Sequence, residues 1–192
     1  MSSEVRSSDV TGSEHSRREV ADALYTPDQR RRRDASKWTL VQGLLAPFQF
    51  VVFLISLWLV LRYLTTGAGE AAATASIVGK TLVLYVIMVT GAIWEKVVFG
   101  RYLFAPAFFW EDVFSMLVLA LHTAYLIALY TGALTVTGLM LLALAAYATY
   151  LVNAVQFIIK LRMARRQAPA MARAASSSSS TRLHSGMMEV AQ

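Results

Sequence analysis

Leu44-Leu45-Ala46-Pro47-Phe48-Gln49-Phe50-Val51-Val52-Phe53-Leu54-Ile55-Ser56-Leu57-Trp58-Leu59-Val60-Leu61 carries no charge. At about 18 residues it has the length an α-helix needs to cross ~30 Å of hydrocarbon. Open strands are excluded at that depth, because their backbone groups would go unpaired where water is absent. Three more stretches of this kind follow, at about 77–94, 113–130 and 139–159. The sequence therefore predicts an all-α membrane protein, a bundle of four transmembrane helices. The short connection around Thr131–Gly138 makes the last two an antiparallel hairpin, and Pro47 is expected to kink the first.

Working outward, the ends of the chain differ from its middle. The 192 residues are 56% hydrophobic and 16% charged, against about half and about a quarter in an ordinary soluble domain. Nearly all the apolar excess lies between Trp38 and Leu161. Residues 1–24 read as a disordered tail, 25–166 as the membrane domain, and 167–192 as a low-complexity tail containing Ser176–Ser180. Thr26 is placed to cap a short helix, with Pro27 at its first position and Gln29 three residues on from the cap. That helix would carry Arg30–Arg33 to the membrane. The first 37 residues hold no apolar core of the length a secretory signal needs.

Charge placement sets the orientation. Arg30–Arg33 and Lys37 precede the first stretch, Lys96 and Arg101 fall between the second and third, and Lys160, Arg162, Arg165 and Arg166 follow the fourth. The opposite side offers Arg62, with Lys80 near the start of the second stretch, from where it is expected to snorkel to the far interface. The positive-inside rule puts both termini and the central segment in the cytoplasm. The net charge of +6 thus sits where anionic headgroups would meet it, which makes membrane lipid the partner and nucleic acid a poor one. The absence of cysteine excludes disulfides, thiolate metal sites and Cys nucleophiles.

Trp94-Glu95-Lys96-Val97-Val98-Phe99-Gly100-Arg101-Tyr102-Leu103-Phe104-Ala105-Pro106-Ala107-Phe108-Phe109-Trp110-Glu111-Asp112 is the segment with chemical content. Glu95, Glu111 and Asp112 stand among seven aromatic residues, including Tyr102 and Trp110. Such rings suit an interface, would wall a large flat ligand, and would desolvate a carboxyl group so that it keeps its proton. A plain aromatic belt with solvated charges accounts for the same composition. His122 lies near the middle of the third stretch, where an ionisable side chain is costly and either serves a function or has a partner. At 3.6 residues per turn Glu111, Ser115 and His122 share a face, with the outer two about 16 Å apart along the axis. Gln42, Gln49, Ser56 and Tyr63 recur along the first helix and Tyr147, Tyr150, Asn153 and Gln156 along the fourth. Both stripes should face the bundle interior.

From about Tyr25 to Arg165 the chain resembles the 3-vinyl (also numbered 2-vinyl) bacteriochlorophyllide hydratases. The likeness is carried by Tyr25-Thr26-Pro27, by Arg30–Trp38, by the segment just quoted, and by Val113-Phe114-Ser115-Met116 through His122-Thr123-Ala124-Tyr125. The resemblance implies a hydro-lyase of bacteriochlorophyll synthesis in a bacterial inner membrane. It would add water across the 3-vinyl group of a magnesium chlorin or bacteriochlorin to give a 3-(1-hydroxyethyl) product. The site then needs an acid, a group that orients and deprotonates water, and anions that offset a developing cation. No cofactor or metal of the enzyme's own is implied, because the magnesium belongs to the substrate. Glu111 or Glu95 would be the acid, and Asp112 or the other glutamate would orient water. Arg101 with Lys96 would bind the substrate propionate, Tyr102 and Trp110 would flank the ring, and His122 would be an axial magnesium ligand. Four helices are few to enclose a macrocycle, which leaves room for a homodimer, and neighbouring enzymes of the pathway are natural partners. The alternative is a non-catalytic pigment carrier or assembly factor. A small transporter fits less well, since the midplane has little charge beyond His122.

Overall fold

The computed structural model describes residues 25–160, 162 and 163; the expected tails and Arg165 and Arg166 lie outside them. Helix α1 spans Pro27–Ala35, opening on the proline whose fixed φ suits a first turn. Within it Arg31 pairs with Asp28, and Arg33 pairs with Asp34. Ser36 then accepts the Trp38 backbone N–H at 3.2 Å and caps α2, Lys37–Thr66. Helix α3 is Glu70–Phe99, α4 is Phe109–Thr131 and α5 is Val136–Lys160. Left-handed glycines stop α2, α3 and α4: Gly67 at φ 69°, Gly100 at φ 81° and Gly132 at φ 63°. Each donates its N–H to a carbonyl of the preceding turn.

Helices α2 to α5 are long and apolar enough to cross a membrane. Each extends beyond the apolar stretch that predicts it, because polar terminal turns keep helical hydrogen bonds once they reach the interface. At 30 residues, α2 and α3 are each ~45 Å long, more than the hydrocarbon requires. The central segment is correspondingly less loop-like than its composition suggests. Trp94–Phe99 ends α3, Phe109–Asp112 begins α4, and only residues 100–108 connect them. Helix α2 runs through Pro47.

Large apolar side chains such as Phe48, Leu54, Trp58, Val89 and Ile127 point outward, as a lipid-facing surface requires. The interior seam joins Phe53 and Val60 of α2, Ile77 and Leu84 of α3, Val118 and Tyr125 of α4, and Met140 and Tyr147 of α5. Hydrophobic burial does little to drive helix association in lipid, so polar pins matter more. Gln42 donates to Thr90 at 2.7 Å, and the Trp94 indole donates to Thr39 at 2.9 Å. Ser56 joins Ser76 at 2.7 Å and the Tyr147 hydroxyl at 2.6 Å. Tyr85 meets Thr123 at 2.9 Å. The stripe residues Gln42, Gln49, Ser56, Tyr147 and Tyr150 thus turn away from lipid.

Lys80 does not snorkel. It is fully buried, with Nζ 2.9 Å from His122 Nε2. The reason is a partner that sequence spacing does not show. His122 Nδ1 lies 2.8 Å from the Val118 carbonyl, and a carbonyl only accepts, so Nδ1 carries the proton and Nε2 offers its lone pair to Lys80. The ring faces of Tyr150, Tyr147 and Phe53 lie 4.3, 5.1 and 5.9 Å from Nζ, close enough for cation–π attraction to offset lost hydration.

Candidate active site

The connection between α3 and α4 brings two of the three acids together. Glu95, one turn from the end of α3, and Asp112, in the first turn of α4, are both buried and hydrogen-bonded to one another. Two carboxylates cannot make that bond, since each only accepts; one of the pair must hold a proton. The backbone closes over them. Phe104 N–H donates to Asp112 Oδ2 at 2.7 Å, and Ala105 N–H approaches Glu95 Oε2 at 3.4 Å. Phe104 reaches this position at φ 59°, a left-handed conformation that costs a bulky residue about 1–3 kcal/mol. Strain is thus held where successive N–H groups must converge on two acids.

Helix geometry divides the pair. Asp112 stands at the N-terminus of α4, where the helix dipole favours a negative charge, and it takes the shorter backbone bond. Glu95 stands near the C-terminus of α3, where the dipole disfavours one. The arrangement supports a protonated Glu95 beside an ionised Asp112. Aromatic rings seal this end of the unit. Trp94 packs edge-on against Phe99 and Phe108, each at 5.8 Å, and Phe108 stacks on Phe157 at 5.8 Å. Among the described residues no cluster of three or more His, Cys, Asp or Glu side chains is built to hold a metal.

Known proteins place the chain. A family model described as 2-vinyl bacteriochlorophyllide hydratase matches residues 25–163. The 2-vinyl bacteriochlorophyllide hydratase of Cereibacter sphaeroides is 73% identical over 143 residues, 74% of this chain and 88% of that one. The protein of the same name from Rhodobacter capsulatus is 68% identical over 146 residues, 76% and 85% of the two chains. No solved structure matches. The chain belongs to the 2-vinyl bacteriochlorophyllide hydratase family.

In this hydratase fold the remaining expected site residues separate into two groups. Glu111 is buried in the first turn of α4 beside Asp112, and His122 is buried farther along the same helix with both ring nitrogens engaged. Magnesium ligation by His122 would require Nε2 to leave Lys80. Lys96, Arg101, Tyr102 and Trp110 face outward instead. Lys96 Nζ donates to the Gly100 carbonyl at 3.0 Å and sits 5.2 Å from the Tyr102 ring. They lie on the exposed side of the connection and of the helix turns that flank it.

Sequence reasoning missed Lys80 as an interior residue of this hydratase. The available signal was its spacing: Phe53, Tyr147 and Tyr150 belong to helix faces that also carry interior polar residues. It also left Asn153 as one member of a stripe. In the structure its Nδ2 donates to Ser115 at 2.9 Å while Oδ1 is buried with no donor.

Proposed function

We propose that this chain hydrates the 3-vinyl group of a magnesium chlorophyllide or bacteriochlorophyllide, giving the 3-(1-hydroxyethyl) pigment, with Glu95 and Asp112 as the acid–base pair. The hydrogen-bonded pair of buried acids carries the reading. Glu95 transfers its proton to the terminal vinyl carbon, and the vinyl π bond supplies the electrons for the new C–H bond. The resulting cation spreads from the inner carbon into the macrocycle. The Asp112 carboxylate offsets that charge, which is worth most where water is scarce. Asp112 then takes a proton from the water whose oxygen bonds to the inner carbon. A proton passing from Asp112 to Glu95 along their hydrogen bond restores the starting state. One water is added and nothing is oxidised or reduced, so the reaction calls for no redox cofactor.

Placement fits the same reading. The acids sit where α3 and α4 leave the apolar layer, so a macrocycle can lie among apolar side chains with its propionate toward the rim, where Lys96 and Arg101 offer positive charge. Tyr102 and Trp110, on the same rim, would border the entering ring. The basic flanks favour the cytoplasmic side of a bacterial inner membrane for this face.

The test is incubation of membranes carrying the protein with chlorophyllide a, read by absorption and mass spectrometry. A gain of one water, with the blue shift expected when a vinyl group leaves conjugation, supports the hydratase. Pigment that co-purifies unchanged would make the chain a carrier.

A further inference from the structure

Among the described residues, three buried amide oxygens lack a hydrogen-bond donor: Gln49 Oε1, Asn153 Oδ1 and Gln156 Oε1. A buried acceptor without a donor is costly, and native proteins keep few. Register places two of them near each other. Phe53 of α2 packs on Tyr150 of α5 at 4.9 Å, and Gln49 and Asn153 each lie about one turn from that contact, in the direction of the Glu95–Asp112 end. Asn153 is also aimed. Its Nδ2 is committed to Ser115 Oγ at 2.9 Å, which fixes the amide plane and presents the oxygen lone pairs elsewhere.

An oxygen lone pair that finds no proton suits a hard cation. Magnesium takes oxygen ligands, side-chain amide carbonyls among them. A tetrapyrrole already supplies four nitrogens, so the protein need add only one axial atom. His122 has neither nitrogen free, and Asp112 is engaged by Glu95 and the Phe104 N–H. The α4 ruler agrees. Ser115, which holds Asn153, rises ~4.5 Å beyond Asp112 and stops ~10 Å short of His122. A macrocycle whose vinyl group reaches the acid pair has its metal about half a ring width away, at the Ser115–Asn153 level.

We propose that Asn153 Oδ1 is the axial ligand of the substrate's magnesium, oriented by Ser115. The inference rests on the pigment substrate of the function proposed above and adds the residue that recognises its metal. Ligation fixes the ring's distance from the acids, so the ligand is also a registration point for the vinyl carbon.

Binding of chlorophyllide a and of its magnesium-free counterpart, pheophorbide a, to the full-length protein in lipid nanodiscs tests this by a readout other than turnover, since the hydrated pigment keeps its magnesium. The wild type should prefer the magnesium pigment by about tenfold or more, the scale on which metal-site changes act. It should also show the absorption and resonance Raman signature of five-coordinate magnesium from a protein ligand. Asn153→Leu should bind both pigments alike and lose that signature. Asn153→His, which offers a replacement lone pair, should recover both and so separates ligation from folding. A wild type with no preference overturns the proposal. So does an Asn153→Leu protein that keeps the preference, or a His122→Ala protein that loses the signature while Asn153→Leu keeps it. If the wild type binds through Asn153 but returns pigment unchanged, the ligand stands and the hydratase reading falls. If pigment is hydrated and Asn153→Leu keeps an unaltered preference, the hydratase reading stands and the ligand falls.

Discussion

Two buried polar pairs on α4, one in its first turn and one near its middle, answer the same problem in opposite ways. Glu95 and Asp112 are like groups forced together, stable only while they share a proton, and backbone N–H groups from a strained connection hold them. Lys80 and His122 are unlike groups, a donor and a lone pair, enclosed by three aromatic rings. The first pair has a proton it can release and regain. The second has its hydrogen bond satisfied and gains nothing by exchanging it. Burial alone therefore does not mark a candidate for catalysis; what distinguishes the proposed acid pair is that its bonding depends on a mobile proton.

The largest expected effect breaks the first pair. Glu95→Gln keeps the shape and the hydrogen bond but removes the proton donor, and hydration in membranes should fall by about 10²–10⁴-fold, with normal protein levels by immunoblot. An equal loss in Glu111→Gln, with Glu95→Gln active, would transfer the acid's role to Glu111. Asp112→Asn should lower turnover by about 10²-fold while leaving the dissociation constant for the pigment near the wild-type value.

The second pair predicts stability in place of rate. His122→Leu removes the hydrogen-bond partner of the buried Lys80 Nζ, and leaving that polar group unsatisfied should cost about 1–3 kcal/mol, read as a lower midpoint of thermal unfolding in detergent. Lys80→Met combined with His122→Leu should regain most of that loss, because an apolar replacement of both partners strands neither. A double variant less stable than either single one would show that the pair does more than join α3 to α4. The smallest effect is Trp94→Phe, which loses the indole bond to Thr39 and should cost about 1 kcal/mol with little change in hydration.

The membrane helices are legible because the requirement behind them is one of length and polarity, and a run such as Leu44–Leu61 satisfies it without reference to the rest of the chain. His122 is legible as an interior residue for the same reason. Pairings are not. Nothing local to Glu95 says that Asp112, seventeen residues on, will be the acid that touches it and not its neighbour Glu111. That depends on how residues 100–108 fold back, and on Phe104 adopting a conformation its side chain disfavours. Lys80 misleads for a related reason. Snorkelling is what a lysine does when nothing inside will receive it, and the receiving lone pair comes from another helix. Asn153 reads as one polar residue in a stripe until its amide is seen to commit its nitrogen to Ser115 and leave its oxygen without a donor.

The connections at the end opposite the acid pair are short. Gly67, Ala68 and Gly69 join α2 to α3, and Gly132 to Thr135 join α4 to α5. On that side the membrane domain offers little more than two tight turns, too small to form a dock or take a tag without disturbing a helix cap. Anything approaching the membrane domain from water, whether a pigment donor, an acceptor of product or an experimenter's label, has an extended surface to meet only on the other face. An insertion or a label placed in either turn would therefore act on two helix ends at once.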